Sequence, residues 1–251
     1  MKRFRIYAFA AAAATVGAIG TICARGEMRL IDPEYDFGIM RELDGEQTGY
    51  AHLVNDGPDT TYIRSVRPSC GCTGAFFYSD PVAPGDTTVV SFTYNPAGRP
   101  GNFTKTVKVY VGDSDERHII RLHGRVVGSP QTLSRNYPIE CGRLRLSERL
   151  VELRDVKPST GRHAFIRMVN QSMDTVTPQW QSDSKDLSLD VTPTRLAPGE
   201  MATFGIFLNS GADAGGSVEY VIPFKADADS AYTDIVIRAN ILPRDSVARA
   251  E

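Results

Sequence analysis

Four short blocks of this sequence recur in the same order about 115 residues further along the chain. The spacing between the two copies of a block stays between 114 and 116 residues. The matched segments are 28–30 with 144–146, 52–57 with 167–172, 82–86 with 196–200, and 119–124 with 235–240. A single fold with similar turns would not keep this spacing from end to end, so the pattern predicts a duplicated unit of roughly 100 residues.

Within each unit, the residue pattern is typical of β-strands. The clearest run is 102–111, where Phe103, Val107 and Val109 alternate with polar side chains such as Lys108, as expected of a strand with one buried face. Turn-forming residues, such as Asn-Asp-Gly-Pro at 55–58, separate the runs. The fold class predicted is therefore all-β, with two tandem immunoglobulin-like antiparallel β-sandwiches.

The same pattern predicts five segments along the chain. Residues 128–143 lack alternation and contain Pro130 and Pro138, so we expect a short linker there. The expected order is an export signal at 1–24, a first sandwich at 27–127, the linker at 128–143, a second, divergent sandwich at 144–243, and a loose tail at 244–251.

The N-terminal segment has the features of a secretory signal. Lys2, Arg3 and Arg5 precede an uncharged, alanine-rich stretch that ends at Ala24, where cleavage is expected. The segment could also remain as a membrane anchor or be lipidated at Cys23, although Ile22 is a poor match to a lipoprotein signal. The expected location is the periplasm or cell envelope, with lipid anchoring as the alternative.

The charge balance argues against a nucleic-acid partner. Without the three basic residues of the signal, 25 basic residues face 30 acidic ones, a net charge of −5. The densest basic stretch, residues 143–154, is interleaved with Glu148 and Glu152. Because phosphate recognition needs clustered cations, nucleic-acid binding is not expected.

The order of several short motifs in the first unit resembles one known family. In sequence they are Asp36-Phe37-Gly38, Asn55-Asp56-Gly57, Ser69-Cys70-Gly71-Cys72-Thr73, Ala83-Pro84-Gly85, Gly101-Asn102-Phe103 and Leu122-His123-Gly124. Over residues 30–127 the chain resembles the domain-of-unknown-function 1573 (DUF1573) family, and Cys70, Gly71, Cys72 and Thr73 form its most specific motif. The resemblance implies an immunoglobulin-like fold similar to Hydin-type (ASH) domains, in exported proteins of bacteria such as the Bacteroidota.

The cysteines allow several kinds of chemistry. Three remain after signal cleavage, Cys70, Cys72 and Cys141. On an extended strand the α-carbons of Cys70 and Cys72 would lie about 6.6 Å apart, near the limit for a disulfide. Two buried thiols, a labile bridge within the pair, a bridge from either residue to Cys141, and a soft-metal site for Cu(I) or Zn(II) at Cys70 and Cys72 all stay open.

No catalytic motif is recognisable in the sequence, and no cofactor is expected. The acidic pairs Asp113 with Asp115 and Asp227 with Asp229 are interpreted as exposed hairpin loops. The two cysteines lack the Cys-x-x-Cys spacing of thioredoxin-type enzymes. We expect a non-catalytic envelope scaffold that binds another envelope protein or a surface polymer. The alternative is a periplasmic thiol-redox or soft-metal handling protein that uses Cys70 and Cys72.

Overall fold

The computed structural model describes residues 28–113, 115, 117–211 and 215–243. The predicted export signal at 1–24 and the predicted tail at 244–251 lie outside the described residues. The chain folds into immunoglobulin-like β-sandwiches, so the predicted fold class is confirmed.

Two four-stranded sheets form the first sandwich. The strands are β1 (Arg29–Leu30), β2 (Glu34–Arg41), β3 (Gln47–Val54), β4 (Ile63–Pro68), β5 (Thr73–Phe77), β6 (Thr87–Tyr94), β7 (Gly101–Val111) and β8 (Arg117–Val127), with a 3₁₀ turn at Glu42–Asp44. One sheet has the order β1-β3-β6-β5 and the other has the order β2-β8-β7-β4. Strands β4 and β5, which follow one another in the chain, are therefore edge strands of opposite sheets.

The second sandwich has the corresponding strand order. Its elements are α1 (Pro130–Leu133), β9 (Ile139–Cys141), β10 (Leu144–Leu146), β11 (Leu150–Val156), β12 (Gly161–Asn170), β13 (Gln179–Trp180), β14 (Leu187–Thr192), β15 (Met201–Asn209), β16 (Gly216–Lys225) and β17 (Thr233–Ile241). The sheets are β14-β15-β12-β10-β9 and β11-β17-β16-β13. Apart from the additional strand β9, each strand has a counterpart in the first sandwich.

One strand pair in each sandwich is parallel, which differs from the purely antiparallel prediction. Strand β2 runs parallel to β8, and β11 runs parallel to β17. In the first sandwich the chain changes sheets between β1 and β2, around Pro33, and then lies beside the last strand in the same direction. Such sheet switching requires a break in alternation that is too short to recognise in the sequence.

Each sandwich encloses its own hydrophobic core. In the first, Leu53 and Phe92 of one sheet pack with Ile120 and Leu122 of the other. In the second, the core contains Leu146, Ile166, Met168, Phe204, Phe224, Ile235 and Ile237. Strand β7 buries Phe103, Val107 and Val109 and exposes Lys108, so the alternation seen in the sequence places one face inward.

A buried asparagine secures the same corner in both sandwiches. The side chain of Asn55 donates to the carbonyl oxygens of Asp59 and Val82 at 2.8 and 2.9 Å. Asn170 donates in the same way to the carbonyls of Asp174 and Leu196 at 2.7 and 3.0 Å. These asparagines belong to repeated blocks of the sequence, and both are fully buried.

The segment 128–143, predicted as a linker, contains regular structure. Ser129 caps the single turn of α1 through its hydroxyl, and Pro130 occupies the first helical position, where its missing N–H costs nothing. Strand β9 pairs with β10, but three residues are too few to show alternation. No helix in the described part of the chain is long and apolar enough to cross a membrane.

Candidate functional site

The Cys70–Thr73 turn connects the edge strands β4 and β5 of the first sandwich. The structure contains a disulfide between Cys70 and Cys72, whose α-carbons lie 5.3 Å apart. The chain turns here, and the N–H of Thr73 donates to the carbonyl of Cys70 at 3.3 Å. This turn brings the two cysteines closer than an extended strand would, which explains how so short a ring can close.

The Cys70–Cys72 disulfide is one of the alternatives that the sequence left open. The structure therefore contains neither two buried thiols at these positions nor a bridge to Cys141, which is a free, buried cysteine of the second sandwich. Burial raises the pKa of the Cys141 thiol, which keeps it protonated and unreactive. Bridged sulfurs are not thiolate ligands, and the described residues contain no group of three or more His, Cys, Asp or Glu side chains suited to a metal.

Hydrogen bonds hold both ends of the turn. Ser69 exchanges two of them with Thr106 of β7, through its backbone N–H at 2.8 Å and its hydroxyl oxygen at 3.0 Å. The carbonyl of Cys72 accepts from the N–H of Asn95 at 2.9 Å. The turn is thus attached to β7 in one sheet and to the end of β6 in the other.

A small aromatic cluster lies beneath the disulfide. Cys72 is buried and packs with Met40, Tyr94, Phe103 and Val126. The rings of Tyr94 and Phe103 stack with their centroids 3.8 Å apart. Burial raises the pKa of the Tyr94 phenol, so this ring stays uncharged and has a packing role.

Three exposed aromatic side chains, Tyr50 of β3, Phe76 of β5 and Tyr78 just after β5, form a surface that we call the aromatic edge. Their exposed fractions are 54%, 58% and 61%. The rings of Phe76 and Tyr78 meet edge to face, with centroids 5.1 Å apart. Tyr50 of β3 lies opposite Ser91 of β6, which lies opposite Phe76 of β5. The aromatic edge therefore runs across the outer face of the sheet to its open side.

The sequence alone does not identify the aromatic edge as a surface, because aromatic side chains on strands commonly belong to the core of a sandwich. The sequence does indicate which residues share a face, because side chains alternate along a strand. Phe76 and Tyr78 are two residues apart and share one face, and Thr73, Ala75 and Phe77 share the opposite face. Which face is buried depends on the sheet. Trp180 does pack against the core, in an edge-to-face contact with Phe204 at 5.6 Å.

The second sandwich does not reproduce this site. Phe165 of β12 is exposed like Tyr50. Its cross-strand neighbour is Gly205 of β15, and the residue opposite Gly205 on β14 is Asp190 rather than an aromatic residue. Residues 178–184, which correspond to the Cys70–Thr73 turn, contain no cysteine. The candidate site therefore belongs to the first sandwich alone.

The acidic pairs noted in the sequence contribute to folding contacts. Asp113 accepts a hydrogen bond from the Tyr62 hydroxyl at 2.8 Å. Asp227 differs from the expected exposed loop residue, because its side chain is only 18% exposed. The Ser230 hydroxyl donates to it at 2.7 Å and lowers its pKa, and Arg143 lies 3.5 Å away. Asp227 stabilises the turn between β16 and β17.

Several solved structures resemble the chain at low sequence identity. A protein of unknown function from Porphyromonas gingivalis W83 aligns with 86% of this chain and 100% of its own length, at 13% identity and a TM-score of 0.35. An endo-fucoidan hydrolase of glycoside hydrolase family 107 aligns over 84% of this chain and 28% of its own, at 12% identity and a TM-score of 0.36. The ASH/PapD-like domain 7 of human CEP192 covers 41% of this chain and 87% of its own, at 15% identity and a TM-score of 0.33.

The family comparison covers the sandwich that carries the disulfide. No curated protein matches the sequence. Residues 28–126 match the model of the family described as "Protein of unknown function (DUF1573)", and this range includes the Cys70–Thr73 turn and the aromatic edge. The part of this chain that matches the DUF1573 family model is therefore its first sandwich.

Proposed function

We propose that this chain is a non-catalytic binding module of the bacterial cell envelope, and that its first sandwich captures a partner protein at the open edge of β5. The observation that carries the proposal is the exposed Phe76–Tyr78 pair, which lies at the end of the edge strand β5 and just beyond it. The N-terminal sequence supports an exported location, because it has the charge and apolar pattern of a secretory signal.

The edge of β5 has the properties of a strand-addition site. Strand β6 pairs with one side of β5, and no strand in the described part of the chain pairs with the other. An open edge presents N–H and C=O groups to an incoming strand, while neighbouring side chains supply specificity. Phe76 and Tyr78 provide rigid aromatic contact area, the kind of surface enriched in protein interfaces.

The disulfide supports this role by fixing the strand before a partner arrives. The turn is hydrogen-bonded to Asn95 and Thr106 and closed by the Cys70–Cys72 disulfide. The start of β5 therefore loses little conformational entropy when a partner binds. Preorganisation of this kind lowers the entropic cost of binding. The cysteine pair thus acts as a structural clamp on the site.

The partner contact can be tested by placing a photoreactive phenylalanine analogue at position 76 in the native host. Cross-linking should yield a defined protein adduct. Phe165 is the matched control, because it is equally exposed on the corresponding sheet of the second sandwich. The Phe76→Ala/Tyr78→Ala double variant should then weaken binding of the purified adduct partner about tenfold or more. An adduct that forms equally from position 165, or an affinity unaffected by the double variant, would contradict the proposal.

Thiol-redox chemistry at Cys70 and Cys72 is the second candidate function, because the disulfide between them can be reduced and re-formed. A binding module should still bind its partner after both cysteines are replaced by serine, with an affinity reduced only by the lost preorganisation, whereas a thiol protein should lose its activity.

A further inference from the structure

A second surface lies on the opposite sheet of the first sandwich. Five exposed cations, Arg64, Arg67, Lys108, Arg117 and Arg121, lie on the outer side of β4, β7 and β8, around the ring of Tyr110, and we call this surface the basic face. Its cations come from three strands, at positions 64 and 67, 108, and 117 and 121, so the sequence shows no single basic cluster. Strand register alone brings them together.

The basic face places like charges side by side. Arg67 and Lys108 are directly opposite one another on β4 and β7. The guanidinium carbons of Arg67 and Arg64 lie 5.1 and 5.9 Å from the centroid of the same Tyr110 ring. Arg117 is the cross-strand neighbour of Tyr110 on the other side. Like charges directly opposite one another destabilise a sheet, so this arrangement opposes folding.

The second sandwich shows that the fold does not require this arrangement. On its corresponding sheet, Glu219 and Arg238 are opposite one another and form an ion pair at 2.7 Å. Glu152 also lies opposite Arg238 and pairs with Arg154 at 2.7 Å. Charges on that face alternate and neutralise one another. In the described part of the first sandwich, neither Arg67 nor Lys108 has a carboxylate partner.

Carboxylates border the basic face and limit its width. Glu34 lies 3.9 Å from Arg121 at the β2 side, and Asp115 lies 3.6 Å from Arg64 at the β7–β8 turn. The positive strip between them covers three strands, about 10 Å across. A narrow anionic chain would meet cations along this strip. A membrane surface or a nucleic-acid duplex is wider and would also meet the acidic border.

We propose that the basic face binds an anionic polysaccharide, with guanidinium groups contacting its carboxylate or sulfate groups. Arginine matches these planar or multivalent oxyanions through paired hydrogen bonds. The apolar part of the face consists of Tyr110 and Ile119, too little for the apolar core of a typical protein interface. The site is on the sheet opposite the aromatic edge, so it stands independently of the proposed partner site.

Binding can be measured by titrating the purified chain with heparin as a sulfated probe and polygalacturonate as a carboxylated probe. Neutral dextran and a single-stranded DNA oligonucleotide are the comparison ligands. At least one anionic polysaccharide should bind, its affinity should fall as salt rises, and dextran should not bind. Binding of neither polysaccharide would overturn the proposal. DNA binding as tight as the better polysaccharide would overturn the assigned class of ligand.

Reversing one charge on the basic face, and one elsewhere as a control, distinguishes binding at this surface from an effect of the net charge of the protein. Lys108→Glu should weaken polysaccharide binding about tenfold, the loss of one charge-assisted contact. It should also raise the melting temperature by about 1–4 °C, because a like-charge pair with Arg67 becomes an opposite-charge pair. Arg149→Glu makes the same charge change at an exposed position of the second sandwich and should leave affinity unchanged. Equal losses in both variants, or no loss in Lys108→Glu, would refute the basic face as the site.

Discussion

At the scale of single residues, Asn55 and Asn170 are each held by several hydrogen bonds in a buried position. Both are fully buried, and each side chain joins the end of a strand to two carbonyls from separate loops. The side-chain oxygen of each also accepts a backbone N–H two residues later, from Gly57 and from Ser172. Because buried amide groups are costly to leave unpaired, few other side chains could replace them.

Asn55→Ala should therefore destabilise the first sandwich by about 2–4 kcal/mol, since the carbonyls of Asp59 and Val82 and the N–H of Gly57 lose their side-chain partner. The free energy of unfolding can be measured by urea titration followed by circular dichroism. Asn240→Ala is the control, because Asn240 is exposed on β17 and its replacement should change stability by less than about 0.5 kcal/mol. Equal effects of the two variants would disprove the role assigned to Asn55.

At the scale of elements, the Cys70–Thr73 turn is one of the points at which the chain crosses from one sheet to the other. Strand β4 is an edge strand of one sheet and β5 is an edge strand of the other. The turn therefore connects the two sheets at one side of the sandwich. The disulfide encloses a very short stretch of chain, which limits how much it can constrain the unfolded state. Its main effect is then local, on the start of β5.

The Cys70→Ser/Cys72→Ser variant should be less stable by about 1.6 kcal/mol, the chain-entropy value for a three-residue loop. Adding a reductant to the wild-type protein should lower its urea midpoint to that of the variant, and the variant itself should not respond to reductant. A loss above about 4 kcal/mol, or a variant that still responds to reductant, would show that the bridge does more than close this turn.

The elements also show how far the sequence predicts the structure. Strand β7 and the repeated corners at Asn55 and Asn170 were predictable, because alternation and turn chemistry are local. The sequence alone does not decide whether Cys70 and Cys72 form a disulfide, because an extended strand and a turn place their α-carbons at different distances. The aromatic edge and the basic face were missed, because each combines residues from separate strands and depends on register.

At the scale of the whole molecule, Glu42 connects the first sandwich to the segment that leads into the second. Its carboxylate is mostly buried and accepts from the N–H groups of Gly98 and Ser129, both at 2.7 Å, and from the Thr132 hydroxyl at 2.6 Å. Further along the junction, Arg125 of β8 lies 3.8 Å from Glu200. Glu42 thus joins the 3₁₀ turn, the β6–β7 loop and the start of α1.

This arrangement predicts a pH-dependent stability. Burial opposes the charged form of Glu42, but hydrogen bonds from Thr132, Ser129 and Gly98 outweigh it and hold its pKa below the ordinary glutamate value. A depressed pKa in the folded state contributes stability above the unfolded pKa of about 4.3, and the contribution is lost as pH falls through the folded value. The junction should therefore weaken in acid.

Glu42→Gln should test this directly, because the amide keeps the shape but loses the charge and one acceptor. At pH 7 the variant should be less stable than the wild type by about 1–3 kcal/mol in urea titrations. The difference should shrink as the pH falls below about 4.3, where the unfolded chain begins to bind a proton, and should be smallest once the folded carboxylate, whose pKa is lower, is protonated as well. Glu148→Gln changes an exposed side chain and should follow the wild type throughout. A stability difference for Glu42→Gln that stays constant down to pH 3 would mean that shape, rather than charge, stabilises the junction.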